Sequence, residues 1–292
     1  MTDTRPLSQT ALTAAAARAA HPIVDRPPWI FVDALAEAML GDLAEELLAY
    51  HRTHGDHVVL SGARAQVTCR SRYVEDRLAA AVRRGVRQYV LLGAGLDTFA
   101  YRSDLAWQVR VFEVDHPATQ AWKRQRLSAT GIAVPDGVTY VPADLEGDSI
   151  AGSLWDAGFD RSAPAVVSCL GVVMYLTGDA LAGTLAAVGD FSPGTELVVD
   201  YMMPAEFRDA DGQTYVDLVA PVVADRGEPW RTFLAPDEMS TLLAANGFAT
   251  VRQVRQHDMV DPALWNREDA LRPSDLARIA WATVRPRARS SP

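Results

Sequence analysis

The amino-acid sequence predicts an α/β fold built on a mostly parallel sheet of about seven strands. Two observations carry this. Short β-branched or aliphatic runs recur from residue 88 onward, each followed by a turn and a helical stretch, which is the pattern of repeated strand–helix units. Several runs, such as Tyr89-Val90-Leu91-Leu92 and Leu197-Val198-Val199, are apolar without alternation, as expected of strands covered on both faces.

Taken in order, 7–20 reads as an alanine-rich helix ended near His21-Pro22, because the residue before a proline is pushed out of helical geometry. A second helix is expected after Pro27-Pro28, with Ile30, Leu35, Leu40, Leu43, Leu47 and Leu48 inward and Asp33 among the polar positions. A third lies between 70 and 84, with Tyr73, Leu78 and Val82 inward, stopped at Gly85. Residues 1–86 are therefore expected to form a helical cap and 87–201 the core of the sheet, with strands at 88–92, 109–114, 138–141, 165–170 and 195–200. An insertion follows at 202–235, helical over 215–224 and irregular around Pro204, Pro221 and Pro229, of the kind that forms a lid over a ligand site. Runs at 248–254 and 279–284 add edge strands within a C-terminal part, 236–285, and the Arg/Ser/Pro-rich tail 286–292 is expected to fray. All of this is expected to make one domain.

Composition narrows the function. Apolar residues are 49% and charged residues 22%, as in ordinary globular chains. The net charge of −9 makes approach to a phosphate backbone unfavourable, so nucleic acid is not the expected partner. Two cysteines, Cys69 and Cys169, supply neither a disulfide framework nor a thiolate metal site, and suit a reducing cytoplasm. The alanine-rich stretch 11–20, interrupted by Arg18, is a poor signal peptide and too short to cross a bilayer; no membrane association is expected.

The chemistry concentrates at strand ends. Gly93-Ala94-Gly95-Leu96-Asp97-Thr98 follows the first strand, and its glycines let the backbone turn sharply and approach a ligand. A dinucleotide fingerprint would place a third glycine at 98, where Thr98 stands, so a nicotinamide cofactor is the weaker reading and a ligand such as S-adenosylmethionine the stronger. About twenty residues on, Glu113-Val114-Asp115 ends the second strand, where an acid can accept from both ribose hydroxyls. At the third strand end, Asp144-Leu145 offers a carboxylate for the adenine amino group and an apolar side chain for its ring.

These strings, with Phe99-Ala100-Tyr101-Arg102 after the glycine loop and His116-Pro117 after Asp115, resemble the leucine carboxyl methyltransferase family of S-adenosylmethionine-dependent enzymes. Arg70-Ser71-Arg72-Tyr73 and Val173-Met174-Tyr175-Leu176 extend the resemblance, which covers most of the chain. It implies a Rossmann-like class I methyltransferase fold, with Arg70 on the methionyl carboxylate, Gly93 with Ala94, Gly95 and Asp97 along the backbone, Asp115 and His116 at the ribose, and Asp144 and Leu145 at the adenine. Arg18 is a candidate second partner of the carboxylate. Two positions depart from the family pattern. Phe99 replaces a usual arginine, and Leu170-Gly171 replaces a Glu-Gly pair, so another acceptor is expected for the cofactor's ammonium group.

The expected reaction is methyl transfer to oxygen, with a small-molecule or peptide carboxylate as favoured acceptor, since a carboxylate is ionised at neutral pH and needs no base. A hydroxyl or phenol acceptor would need one, for which His116 is the candidate; Tyr175 and Tyr201 are candidates for shaping the acceptor pocket. A cofactor-binding protein without turnover is a further alternative. His51, His54 and His57 are expected to be solvated loop residues rather than metal ligands, because Gly55 breaks the helix that would align them. Ser168-Cys169 lacks the glycine of a nucleophile elbow, and Cys169 is expected to pack in the core.

Overall fold

The computed structural model describes residues 8–286. Its centre is one seven-stranded sheet in the order β3-β2-β1-β4-β5-β7-β6. The strands are β1 (Gln88–Leu92), β2 (Arg110–Asp115), β3 (Val138–Pro142), β4 (Val166–Cys169), β5 (Glu196–Met202), β6 (Phe248–Arg255) and β7 (Ala277–Val284). The first five pair in parallel, while β7 runs antiparallel between β5 and β6. All seven strand runs read from the sequence are present, with ends shifted by at most two residues.

Alternation explains why the central strands are apolar throughout. Val90 and Leu92 of β1 face a core completed by α7 (Ile150–Asp156), α8 (Gly178–Gly189) and α10 (Pro236–Ala245). Tyr89 and Leu91 face the opposite core, built from α4 (Val58–Arg83) and α5 (Phe99–Arg102). The chain turns back at β1, since β2 lies on one side of it and β4 on the other, and open α/β sheets bind ligands at the strand C-termini beside such a switch point. Over that edge sits a third cluster, in which α1 (Gln9–Val24), α2 (Ala36–Leu40) and α3 (Ala44–His54) pack on Leu96 of the glycine loop and Leu127 of α6 (Pro117–Ala129). The insertion is mostly helical, as α9 (Ala210–Asp225), and packs with Met174 and Met202.

The cap departs from expectation in four ways. Helix α1 continues through Pro22 to Val24. A proline so near the C-terminus forfeits one helical bond, and the last turn is held by Asp25 N–H to His21 O and by His21 Nδ1 on the Asp25 carboxylate. The single helix expected after Pro27-Pro28 is instead α2, a 3-10 turn at Gly41–Leu43, and α3. Residues 30–35 are not helical, because Asp33 turns inward and accepts the Leu35 N–H in competition with a helical backbone. The third helix begins at Val58, twelve residues earlier than expected. Its first half carries buried polar residues, Ser61, Arg64, Gln66 and Thr68, which hide the apolar period. Finally, His51 is buried at 5% exposure on α3, and only His57 stands outside a helix, as the N-cap of α4. The tail expected to fray, 286–292, lies outside the described residues except for Pro286.

Buried charges tie cap to core. Arg64 grips Asp25 with two hydrogen bonds, Nε to Oδ2 at 2.7 Å and Nη2 to Oδ1 at 2.8 Å, and donates from Nη1 to His51 Nδ1. Arg18 donates to Asp33 Oδ2, and Asp33 Oδ1 accepts the Thr98 hydroxyl at 2.6 Å. Thr98 therefore fills the place of the absent third glycine with a side chain bonded into the cap.

Candidate active site

A cavity of about 740 Å³ opens at the C-terminal ends of β1 to β4, within the roughly 300–1,000 Å³ typical of small-molecule sites. Its floor is the glycine loop and the β2, β3 and β4 ends; its roof is the first half of α1, with Arg70 and Ser71 of α4; its far wall is the end of the insertion, Arg226 to Arg231.

The glycines are required by geometry. Gly93 has φ +70°, and a Cβ there would lie 2.3 Å from Val172 Cγ2. Gly171 has φ +72°, and a Cβ would meet the Arg70 guanidinium at 2.6 Å. Gly95, at φ +48°, donates its N–H to Asp115 Oδ2. The floor is thus bare backbone, close enough for a ligand to lie against it.

Of the two acids of β2, which alternation puts on one face, only Asp115, the last residue of the strand, reaches the cavity. Glu113 points beneath it, where Lys123 Nζ meets Oε2 at 2.7 Å with both side chains about 1% exposed. Burial nevertheless raises the Glu113 carboxyl above its ordinary value against the pull of Lys123. Burial also raises Asp115, opposed by the N–H groups of Gly95 and His116. A carboxylate so desolvated binds hydroxyl donors strongly. Asp144 and Leu145 line the cavity at the β3 end; Asp144 Oδ1 accepts the Glu146 N–H, and Leu145 packs on the core. Ala94, Asp97 and Leu170 also lie on the wall, where Asp97 Oδ1 accepts the Phe99 N–H.

Arg70 projects from α4 over Gly171, its Nη1 2.9 Å from Asp200 Oδ2. Arg18 reaches the wall, but its Nε is spent on Asp33 and its Nη2 on Leu96 O at 2.7 Å, so it fastens the cap to the glycine loop. His116 lines the cavity too, yet its Nδ1 accepts the Ala118 N–H as the N-cap of α6. Phe99 packs edge-on against Tyr89, with 5.0 Å between ring centroids, while the guanidinium of that turn comes from Arg102, paired with Glu75.

The two tyrosines separate. Tyr175 lines the cavity; its hydroxyl donates to Thr10 Oγ1 and accepts from Trp230 Nε1 at 3.1 Å. Tyr201 does not shape this pocket. It is fully buried in the core below β5, its hydroxyl 2.6 Å from Gln253 Oε1, because strand alternation directs it away from Asp200's side.

Sequence reasoning missed four contributors. Asp33, expected among the polar positions of a helix, orders the roof, and nothing local marked it. Glu228 accepts from both the N–H and the hydroxyl of Thr10, joining insertion to cap, and Arg226 and Arg231 stand on either side of it. Their signal was three charges in six residues of an expected lid. Among the described residues no cluster of His, Cys, Asp and Glu is arranged for a metal, and no helix is long and apolar enough to cross a membrane.

A parallel sheet with a bare glycine turn at β1, an acid at the end of β2 and an acid beside an apolar residue at β3 defines an S-adenosylmethionine-dependent methyltransferase of the Rossmann-like class. The leucine carboxyl methyltransferase family model matches residues 11–189, and the chain belongs to that family. The Bacillus subtilis (strain 168) protein YktD, named as an S-adenosyl-L-methionine-dependent methyltransferase, is 29% identical over 90% of this chain and 93% of its own. A Mycobacterium marinum protein named in the same way is 36% identical over 66% of this chain and 65% of its own. Among solved structures, a methyltransferase-type protein from Thermobifida fusca superimposes with a TM-score of 0.58 at 18% identity, covering 86% of this chain and 93% of that one. A DUF574-family protein from Streptomyces avermitilis gives 0.59 at 20% identity, covering 93% and 97%. These two show the fold.

Proposed function

We propose that this single-domain enzyme methylates an oxygen, forming a methyl ester on a carboxylate of a small molecule or a peptide end. The observation that carries the reading is the division of charge along the cavity. Asp115, Asp144 and Glu146 line the end under β2 and β3, whereas at the other end Arg226 and Arg231 of the insertion flank Glu228, whose carboxylate is bonded to Thr10. An acidic acceptor is attracted to that second end by charge and held by hydrogen-bond donors.

S-adenosylmethionine, when bound, supplies an electrophilic methyl group on a sulfonium sulfur. The chain's part is to hold, orient and exclude water. Asp115 would hold the ribose, Asp144 and Leu145 the adenine, the loop Gly93–Gly95 the chain near the sulfur, and Arg70 the carboxylate. Tyr175, fixed between α1 and Trp230, and the lid arginines orient the acceptor. Burial raises the Tyr175 phenol, so at neutral pH it keeps its proton, which it gives to Thr10 Oγ1. The buried thiols Cys69 and Cys169 suit a reducing cytoplasm, where we place the protein.

Glu228 favours a second reading, since a carboxylate in the cavity wall is a base for a hydroxyl or phenol acceptor. Incubation of metabolite and peptide panels with methyl-labelled cofactor decides between them. A base-labile label, formed at a rate level from pH 6 to 9, is the expected result. An alkali-stable label overturns the ester reading and installs the ether.

A further inference from the structure

Asp200 lies on β5 with no exposed surface, outside the cavity wall, yet its carboxylate meets two parts of the site at once. One oxygen takes Arg70 Nη1, from the cap helix; the other takes the Gly171 N–H, from the turn after β4. A buried carboxylate is costly unless both oxygens are satisfied, and here these two groups satisfy it. Gly171 must lack a side chain, since a Cβ would strike the guanidinium at 2.6 Å and 2.9 Å from its two Nη atoms. The guanidinium therefore lies flat over a bare turn, pinned at one nitrogen, with the rest of the fork toward the cavity that Arg70 lines at 13% side-chain exposure.

Strand order says what the fork meets. Across the edge run Asp144 and Leu145 at β3, Asp115 at β2, Gly93 to Gly95 at β1, and Gly171 with Arg70 at β4. A nucleoside held at β3 and β2 directs its 5′ substituent over β1 toward β4, so the far end of that substituent meets Arg70. Leu170 contributes no charge there. We propose that Asp200 is the positioning residue for the amino-acid end of the cofactor: from behind the wall it fixes the Arg70 fork and the Gly171 turn in the geometry that receives it. An arginine carries about 2 kcal/mol of rotamer entropy, and holding it in place beforehand removes much of that cost from binding.

The inference rests on reading this cavity as the cofactor site. Calorimetry with two probes tests it: S-adenosylhomocysteine, and 5′-methylthioadenosine, which has the nucleoside and sulfur without the amino-acid end. Asp200→Asn is expected to weaken S-adenosylhomocysteine at least tenfold and leave 5′-methylthioadenosine within twofold. Equal weakening of both, or no weakening of either, overturns the proposal. Arg70→Met combined with Asp200→Asn removes both charges, so no ion is left buried alone. This double variant is expected to bind S-adenosylhomocysteine as Arg70→Met alone does; a further tenfold loss overturns the proposal. Asp144→Ala must weaken both probes. A wild-type chain that binds neither overturns the site reading itself.

Discussion

Single side chains decide what the strand ends can hold. Asp115 faces the cavity at the end of β2, and its truncation removes the carboxylate proposed to hold the ribose. Asp115→Ala is expected to lower S-adenosylhomocysteine affinity at least tenfold in calorimetry, and an unchanged affinity would remove the residue from the site. Gly93 makes a different demand. Gly93→Ala puts a Cβ into left-handed backbone, worth about 1–2 kcal/mol, and drives it onto Val172. The denaturation midpoint should fall accordingly, and cofactor affinity with it. Below the floor, Lys123→Met leaves Glu113 buried without its partner, a loss on the order of 3–5 kcal/mol in urea unfolding. At this scale much was legible, since glycine, acid and acid-apolar pairs sit at recognisable strand ends. Asp33, Asp200 and Glu228 were not, because their partners are 65, 130 and 218 residues away in the chain.

Elements behaved according to how local their causes are. The central strands β1, β4 and β5 declared themselves through apolar runs, because both of their faces are covered. The cap helices did not, because α1, α3 and α4 bury polar side chains against one another through Arg64, Asp25, His21 and His51. That seam has a pH signature. Burial, and then the Arg64 guanidinium, push His51 down to about 4 from the ordinary 6.5. A folded-state value below the unfolded one means stability is fully present above about pH 6.5 and is lost as pH falls toward 4. The loss is on the order of 2–3 kcal/mol. Urea midpoints at pH 7 and 4.5 should show it, and His51→Gln should flatten the difference. The seam between α1 and the insertion is weaker, resting on Thr10 and Glu228. Thr10→Ala is expected to speed hydrogen exchange at 226–231 without shifting the melting temperature by more than a degree or two.

The whole molecule is one sheet whose switch point is roofed by a cap and walled by an insertion, and all three line the cavity. Binding should therefore stabilise the fold as a unit. S-adenosylhomocysteine at about a hundred times its dissociation constant contributes roughly 2.7 kcal/mol, a rise on the order of 5 °C in melting temperature, while NAD should give none. A rise with NAD alone would reverse the cofactor assignment. The amino-acid sequence by itself determined the sheet, its seven strands and the cofactor class. Apolar runs and glycine-acid spacing are properties of contiguous segments, and those segments set strand ends directly. Only the tertiary structure decided which acid of the β2 pair lines the cavity, that Arg18 ties Asp33 to the glycine loop, that Tyr201 belongs to the core, and that Asp200 stands behind Arg70. Each of those depends on which distant segment arrives at a given face, and a buried charge shows its role only once its partner is in place.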